Sequence, residues 1–365
     1  MSGNPQRKYR ADYAVPAYLI DTVDLDFDIR DTQTAVRAVY AVRRNPDSTD
    51  TQQWRLDGRD MRFVSVAIDD RQLSENEYRL TDDALVVDNP PERFTLAVEN
   101  VIDPEHNLSL EGFYRSGDIL CSQCEANGFS RITYFPDRPD VMARYTTRIS
   151  ADAKTFPVLL ANGNCVDSGE LDGGRHYAVF EDPFAKPCYL FAIVAGDLGV
   201  IQDCYTTTSG REVDLRLYTE HGNEDQCHHA MASLKQAMAW DEDTYGLEYD
   251  LHSYVTVAVG SFNMGAMENK GLNVFNTACI FAARQTATDN PPASRHARSH
   301  TASGQSRPRP RPPQTMKSAR PRSSPTPAHT APHHSTPSVS PPNKNGARKT
   351  GPRKIVARSN QTLMM

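Results

Sequence analysis

GSFNMGAMENK, residues 260–270, is the stretch around which the rest of the chain is organised. It follows Val255, Val257 and Val259, which alternate with smaller or polar residues and predict a strand over residues 254–259. Its glycines permit a sharp turn or a close approach to a ligand, where Glu268 can meet a cation. The stretch therefore predicts an exposed edge that binds an extended peptide, with an acid for the peptide amine. Spacing alone also fits a glycine-rich hairpin with a solvated glutamate.

The segment before this stretch predicts a helix and a strand. Met231, Leu234, Met238 and Trp240 recur at roughly helical spacing among polar residues, which indicates a helix over residues 224–245. A glycine follows the pattern directly and is a natural stop for the helix. The order of helix, strand and glycine-rich stretch predicts the opening of an α+β domain, which we place at residues 199–289.

Residues 1–198 have the alternation typical of β-strands. Every second residue over 23–29 is apolar, and the residues between are charged, which predicts a half-buried strand. Turn sequences such as Asn-Pro-Asp at 45–47 separate similar runs at intervals typical of a sandwich. We therefore expect a mainly β chain whose first 198 residues form a β-sandwich.

Composition changes abruptly near Asp289. Residues 290–365 hold 14 Lys and Arg, no Asp or Glu, and 14 of the 25 prolines, whereas the first 289 residues carry a net charge of −20. Such a tail cannot bury enough apolar surface to offset its chain entropy, so we expect it to be disordered. One hypothesis is that a frameshift or gene-model error near residue 289 replaced the true continuation with out-of-frame residues. A genuine tail of this charge would bind nucleic acid or another polyanion weakly and non-specifically.

The whole chain has the composition of a soluble protein. Its basic N-terminus has no apolar run behind it, and no stretch approaches the roughly 18 apolar residues that a membrane helix needs. The seven cysteines are odd in number and scattered, which argues against a disulfide framework. These features predict a cytoplasmic protein that does not contact membranes.

The run Gly265-Ala266-Met267-Glu268-Asn269 matches the GAMEN signature of the aminopeptidase N family of zinc metallopeptidases letter for letter. The flanks FNM and KGLN resemble the bacterial branch, as do NGN at 162–164, DPF at 182–184 and KPCYLFA at 186–192. The resemblance covers residues 9–289. It implies a β-sandwich followed by a thermolysin-like catalytic domain, and an activity that removes the N-terminal amino acid from peptides.

By this resemblance, the loop containing Glu125 reaches from the sandwich into the active site. Glu125 and Glu268 would together bind the free ammonium of the substrate, with Gln123 beside them. Because an internal peptide nitrogen carries no charge, such a pair restricts the enzyme to the first residue. Met264 would line the pocket for the first side chain. The other residues implied in substrate binding are Gly265, Ala266, Met267 and Asn269.

The zinc-binding part of the family pattern is missing. The family needs H-E-x-x-H on a helix, a third glutamate ligand and a tyrosine, whereas residues 295–300 read Arg-His-Ala-Arg-Ser-His. Ala297 stands at the position of the general base, and no carboxylate side chain follows it. We therefore expect no zinc and no complete catalytic site in this chain, although the intact family uses zinc. The resemblance therefore implies a fragment of an aminopeptidase N that keeps the amine-binding edge for peptide substrates and is inactive alone. The alternatives are polyanion or nucleic-acid binding through the tail, and a non-catalytic module that binds peptides with a free N-terminus through Glu125 and Glu268.

Two further motifs contain metal-ligating side chains. Cys121 and Cys124 form a C-x-x-C without a second pair, which favours loop cysteines over a zinc site. His228 and His229 diverge by about 100° if they lie on a helix, which favours a solvated turn over a metal site.

The incomplete α+β region raises a question of stability. Without the helices that should cover it, residues 199–289 are expected to leave Val255, Val257 and Val259 exposed. We therefore expect this region to be aggregation-prone or partly unfolded, whereas the sandwich folds alone.

Overall fold

The computed structural model describes residues 9–49 and 52–283, and over these residues the chain is mainly β, as the alternation predicts. The first fifteen strands are β1 (Tyr18–Ile29), β2 (Thr34–Arg44), β3 (Gln53–Asp57), β4 (Arg62–Ile68), β5 (Arg71–Gln72), β6 (Tyr78–Leu80), β7 (Ala84–Asp88), β8 (Arg93–Ile102), β9 (Gly112–Ser116), β10 (Ile119–Gln123), β11 (Met142–Asp152), β12 (Val158–Ala161), β13 (Asn164–Leu171), β14 (Arg175–Pro187) and β15 (Ile193–Gly196). The later elements are β16 (Gly199–Thr206), β17 (Glu212–Thr219), α1 (His228–Tyr245), β18 (Ser253–Val259), β19 (Ala266–Met267), β20 (Leu272–Asn276) and α2 (Thr277–Ile280). Short 3-10 turns lie at Arg10–Asp12, Phe129–Arg131, Cys188–Leu190 and Glu224–Gln226.

Strands β1 to β15 form the predicted β-sandwich. An eight-stranded sheet has the order β13-β14-β11-β1-β2-β8-β4-β5, and only its β1–β11 pair is parallel. A three-stranded sheet, β3-β7-β6, and a four-stranded sheet, β12-β15-β10-β9, complete it. All three sheets contribute to one apolar core, because alternate residues of each strand point inward. Its large members include Tyr18, Phe27, Trp54, Leu56, Phe113 and Leu120.

The region after the sandwich forms a sheet of its own, the second sheet, whose five strands have the order β16-β17-β18-β20-β19. Helix α1 connects β17 to the parallel strand β18 and packs Met231 and Met238 against the sheet. It begins at His228, four residues later than predicted, because Glu224–Gln226 form a 3-10 turn. Trp240 does not belong to the buried stripe and is 47% exposed, since it lies two residues, or about 200° around the helix, from Met238.

The four-stranded sheet lies between the sandwich core and the second sheet, and is apolar on both faces. Leu120 points into the sandwich core, whereas its neighbours Ile119 and Cys121 belong to a second cluster with residues of β18 and β20. This alternation follows from the period of two along a strand. The members of the second cluster on the five-stranded sheet and its loops are Tyr218, Val257, Val259, Phe262, Met267, Leu272 and Val274.

The expectation that residues 199–289 expose apolar faces is wrong for the described part of this region. Val257 and Val259 are fully buried, and Val255 is half-buried. The four-stranded sheet covers one face of the second sheet, and α1 covers the other. Burial of each such side chain stabilises the fold by about 1.5–3 kcal/mol, so this contact is substantial.

Four further predictions concern the cysteines, membrane-spanning helices, the domain boundary and the tail. All seven cysteines are free. Among the described residues, no helix is long and apolar enough to cross a membrane. The domain boundary at residue 198 stays a prediction, and the tail at residues 290–365 lies outside the described residues.

We expect Leu272→Ala to destabilise the whole protein. Leu272 is fully buried in the cluster shared by the two sheets, so removing its side chain should lower the free energy of unfolding by about 2–5 kcal/mol. Urea unfolding followed by circular dichroism measures this change. The matched control is Leu108→Ala, because Leu108 is 89% exposed. A main transition that Leu272→Ala leaves unchanged would mean that the second sheet does not fold with the sandwich.

Candidate functional site

The glycine-rich stretch forms an edge of the second sheet. After β18 the chain loops through residues 260–265, forms the short strand β19, turns, and returns as β20 between β18 and β19. Gly271 in the turn has φ +78°, and a Cβ there would lie 2.8 Å from Cδ1 of Leu251. Only glycine adopts this conformation and tolerates this contact without strain.

Strand β19 pairs on one side only within the described residues. Ala266 is opposite Phe275, and Met267 is opposite Val274, both on β20. The other side of β19 is the end of the sheet. An unpaired strand edge presents backbone N–H and C=O groups to which an extended peptide can add as a further strand. The structure thus has a sheet edge at the predicted stretch, but Ala266 and Met267 are 5% and 0% exposed, and peptide binding there stays a prediction.

The sandwich holds the loop before β19 in place. The Tyr114 hydroxyl donates to the Ser261 carbonyl at 3.0 Å, and the Ser261 N–H donates to Oγ of Ser116 at 2.8 Å. The Asn263 amide donates to the Leu110 carbonyl at 3.1 Å. These contacts come from β9 and the loop before it, so the position of the stretch is set by the sandwich.

Two carboxylates lie near each other at this edge. Glu125 follows β10 and Glu268 follows β19, and both are half-buried. Neither forms an ion pair or accepts a hydrogen bond within the described part of the chain. Burial raises the pKa of Glu125, and the negative charge of Glu268 raises it further. The structure therefore brings the two predicted acids together from separate sheets and leaves both without a counter-charge.

Gln123 and Met264 are in direct contact beside the acids. Nε2 of Gln123 donates to the Met264 sulfur at 3.0 Å. The Gln123 side chain is fully buried, and its Oε1 has no hydrogen-bond partner within residues 9–49 and 52–283. An unpaired buried acceptor costs about 1–3 kcal/mol, so this oxygen favours a donor that enters the site. Met264 is 41% exposed and can contact a ligand.

The remaining predicted residues differ in what they present. Gly265 is half-buried, and its carbonyl accepts from the Asn276 N–H at 3.0 Å. The side chains of Ala266, Met267 and Asn269 are buried, and Nδ2 of Asn269 donates to the Phe191 carbonyl at 3.3 Å. Their substrate role stays a prediction, because Met267 and Asn269 are fully buried and Ala266 is 5% exposed.

Tyr189 is a residue of this site to which the sequence reasoning assigned no role. It is half-buried, and its pKa is raised by burial and then by the charges of Glu268 and Glu125. The Tyr189 hydroxyl therefore lies within electrostatic range of both acids. In the sequence, the family-like run KPCYLFA contains Tyr189, but it does not indicate that this residue lies near the two acids.

The residues that the structure describes do not form a zinc site. Within the described ranges, no three His, Cys, Asp or Glu side chains come together in a group that could hold a metal. Cys121 and Cys124 are fully buried, and burial raises the pKa of the Cys121 thiol to about 12. His228 and His229 are exposed in the first turn of α1. The Arg-His-Ala-Arg-Ser-His run at 295–300 lies outside the described residues.

Two family models match the chain. The model described as the Peptidase M1 N-terminal domain matches residues 16–190. The model described as the Peptidase family M1 domain matches residues 229–296. The first match covers most of the sandwich, and the second covers α1 and the glycine-rich stretch.

Curated relatives are similar over most of this chain. Aminopeptidase N of Escherichia coli (strain K12) is 53% identical over 290 residues, which are 79% of this chain and 33% of the relative. Aminopeptidase N of Caulobacter vibrioides is 50% identical over 285 residues, or 78% of this chain and 33% of the relative. The chain thus spans about a third of the length of the curated relatives it matches.

A solved structure is similar as well. The crystal structure of Legionella pneumophila aminopeptidase A in complex with aspartic acid matches with a TM-score of 0.77 and 35% sequence identity. The match covers 80% of this chain and 35% of that chain. Both the sandwich and the beginning of the second sheet therefore have counterparts in known structures.

We expect Glu268→Gln to lower the pKa of Glu125 without restoring its ordinary value of 4.5. The charge of Glu268 is the smaller cause of the shift, and burial, the larger cause, remains in the variant. Carbon-detected NMR titration of the Glu125 carboxyl measures the change. Glu99→Gln is the control because Glu99 lies on β8 in the eight-stranded sheet, where it pairs with Arg37.

The same pKa shift affects stability with a defined sign. Because the folded-state pKa of Glu125 is raised, its contribution to stability is full below the unfolded pKa and is lost as pH rises through the raised folded pKa. In Glu268→Gln this loss should be smaller and should occur at lower pH. An unchanged Glu125 titration in Glu268→Gln would contradict the proximity of the two acids.

Proposed function

Since this chain belongs to the M1 peptidase family, we propose that it binds the free N-terminus of a peptide between Glu125 and Glu268. The observation that carries the proposal is the pair of half-buried carboxylates that no side chain of the described part neutralises. Two like charges held together in a partly buried place cost free energy, and a cation between them offsets this cost. An N-terminal ammonium has the charge and the three donors that such a site requires.

The peptide backbone would extend from the amine along β19. Because Ala266 and Met267 are 5% and 0% exposed, a peptide can pair with the free side of β19 only after the groups that cover it move. Such main-chain pairing would accept any peptide sequence. Met264 lies at the start of the strand and would contact the first side chain of the peptide. A thioether on a flexible side chain adapts to several shapes, so this pocket favours apolar first residues without strong selectivity.

Gln123 would complete the amine site. Its unpaired Oε1 can accept a third ammonium hydrogen bond, provided that the buried amide turns toward the ligand. An acetylated N-terminus has neither the charge nor enough donors to satisfy two carboxylates and an amide oxygen. The site therefore discriminates against blocked peptides and against internal peptide bonds.

Hydrolysis of the bound peptide is a property that we assign to the longer members of the family. Relatives named aminopeptidase N are about three times as long as the matched region. When zinc is bound in such enzymes, it polarises the substrate carbonyl and activates a water. The described residues of this chain offer no metal-binding group, so no step of the proposal uses zinc. We propose a chain that binds peptides and does not cleave them.

Polyanion binding by residues 290–365 remains a separate prediction. It rests on 14 positive and no negative side chains in that segment of the sequence. The cytoplasmic location is likewise a proposal based on sequence composition. Neither affects the assignment of the amine site.

We expect the full chain to bind a short peptide with a free N-terminal alanine at least about tenfold more tightly than the acetylated peptide. Isothermal titration calorimetry at pH 7.5 measures both affinities. Glu268→Gln should remove most of this preference, because one of the two charge-assisted contacts becomes neutral. Glu99→Gln should retain it. Equal affinity of the wild-type chain for the two peptides would refute the amine site.

We also expect no hydrolysis of an alanyl chromogenic substrate by the purified, tag-free chain, with or without added zinc. The reason is the lack of a metal-binding group among the described residues and of any carboxylate after residue 289. Release of the chromophore that requires zinc and is abolished by a chelator would contradict this expectation. A preparation of an intact bacterial aminopeptidase N is the positive control.

A further inference from the structure

The turn Asn162-Gly163-Asn164 joins the sandwich to the second sheet. Nδ2 of Asn162 donates to the Lys270 carbonyl at 2.8 Å and to the Leu190 carbonyl at 3.1 Å, and its Oδ1 accepts from the Ala192 N–H at 2.6 Å. The Asn162 side chain is 3% exposed. A single buried amide therefore connects three segments of backbone.

The turn itself is fixed by its glycine. Gly163 has φ +92°, and a Cβ at this position would lie 2.2 Å from the Glu181 carbonyl oxygen. No other residue fits at this position without moving β14, so Gly163 fixes the turn that carries Asn162. Asn164 adds a contact of its own, since its Oδ1 accepts from the His252 N–H at 3.3 Å.

Each segment joined by Asn162 leads to one member of the amine site. Lys270 lies two residues after Glu268. Leu190 directly follows Tyr189, the tyrosine that responds to both acids. Asn162 itself directly follows β12, which belongs to the same four-stranded sheet as β10, the strand that precedes Glu125.

A second amide supports the same connection. Asn269 donates to the carbonyl of Phe191, which lies between Leu190 and Ala192, and Asn162 contacts both of these residues. The backbone after Glu268 is thus tied to residues 190–192 directly by Asn269 and indirectly by Asn162. Loss of Asn162 would leave the 3.3 Å bond of Asn269 as the remaining side-chain amide contact between this backbone and residues 190–192.

We propose that Asn162 is a positioning residue that sets the separation of Glu125 and Glu268, and through it the preference for a free N-terminal amine. The effect on the separation of the two acids rests on the hydrogen bonds of Asn162. The effect on the preference for a free amine also rests on the proposed function. One ammonium can satisfy two carboxylates only when both lie within hydrogen-bond distance of it, so a shift of about 1 Å removes one contact. The bond from Asn162 to the Lys270 carbonyl acts against such a shift, because Lys270 lies two residues after Glu268.

A purely structural role is the alternative, and Asn100 provides the matched control. Asn100 is 1% exposed and donates to the Ile132 carbonyl at 2.9 Å within the sandwich core. Asn162→Ser and Asn100→Ser each remove a buried amide donor. Asn162→Ser retains a hydroxyl that can accept from Ala192 but cannot reach Lys270.

The test compares both variants with the wild-type full chain in two measurements. The first is the calorimetric ratio of affinities for the free-amine and acetylated peptides. The second is the NMR titration of the Glu125 carboxyl in the unliganded protein. In Asn162→Ser we expect the affinity ratio to fall about fivefold or more and the Glu125 pKa to fall, because Glu268 moves away. In Asn100→Ser both quantities should stay at their wild-type values, whatever the loss in melting temperature.

The two measurements separate the positioning role from the amine site. If wild-type protein shows no preference for the free amine, the proposed function fails and the Glu125 titration alone decides the positioning role. A Glu125 pKa that is the same in wild type and Asn162→Ser overturns the proposal. If Asn162→Ser does not fold, Asn164→Ala is measured instead, since it removes the bond to His252 from the same turn. It should shift both quantities in the same direction by less, and the absence of any shift would equally overturn the proposal.

Discussion

The apolar contact between the four-stranded sheet and strands β18 and β20 is the interaction on which the candidate site depends. Ile119 and Cys121 on one side and Val257 and Leu272 on the other are buried in one cluster. This contact packs the second sheet against the sandwich. As a result, the loop after β10, which carries Glu125, lies near the loop after β19, which carries Glu268. Without it, the two acids would belong to unrelated surfaces. Directional bonds such as those of Asn162 then refine an arrangement that apolar burial has already formed.

The site concentrates polar groups that are unfavourable in the absence of a ligand. Glu125 and Glu268 repel each other, and the amide oxygens of Gln123 and Asn269 are buried without partners among the described residues. In the sandwich, by contrast, the buried Lys186 ammonium lies 3.0 Å from the Asp182 carboxylate. Binding sites commonly retain such costs because the free energy returns when the ligand supplies the missing partner. The partner that we propose is an ammonium, which has the charge and the donors that these groups lack.

The same apolar contact explains how a chain that spans a third of its relatives can retain an ordered second sheet. The sequence predicted correctly that Val255, Val257 and Val259 lie on a strand, and wrongly that they lack a cover. The prediction failed because period-two patterns identify which residues are apolar but not which neighbour buries them. Ile119, Leu120 and Cys121 form a continuous apolar run, which is typical of a strand buried on both faces, and this signal was available.

The sequence by itself determined the β-sandwich, the helix before β18, the family, and the identities of Glu125 and Glu268 as candidate ligands of an amine. The fold elements follow from local periodicity, and the family follows from the signature at residues 265–269 and its flanks. The roles of Glu125 and Glu268 are implied by the family resemblance. Only the tertiary structure decided that Tyr189 lies within electrostatic range of both acids and that Met267 and Asn269 are buried. It also decided that Asn162 contacts the backbone of residues 190–192 and of Lys270. Each of these depends on contacts between residues far apart in the chain, and their partners are selected by packing rather than by sequence spacing.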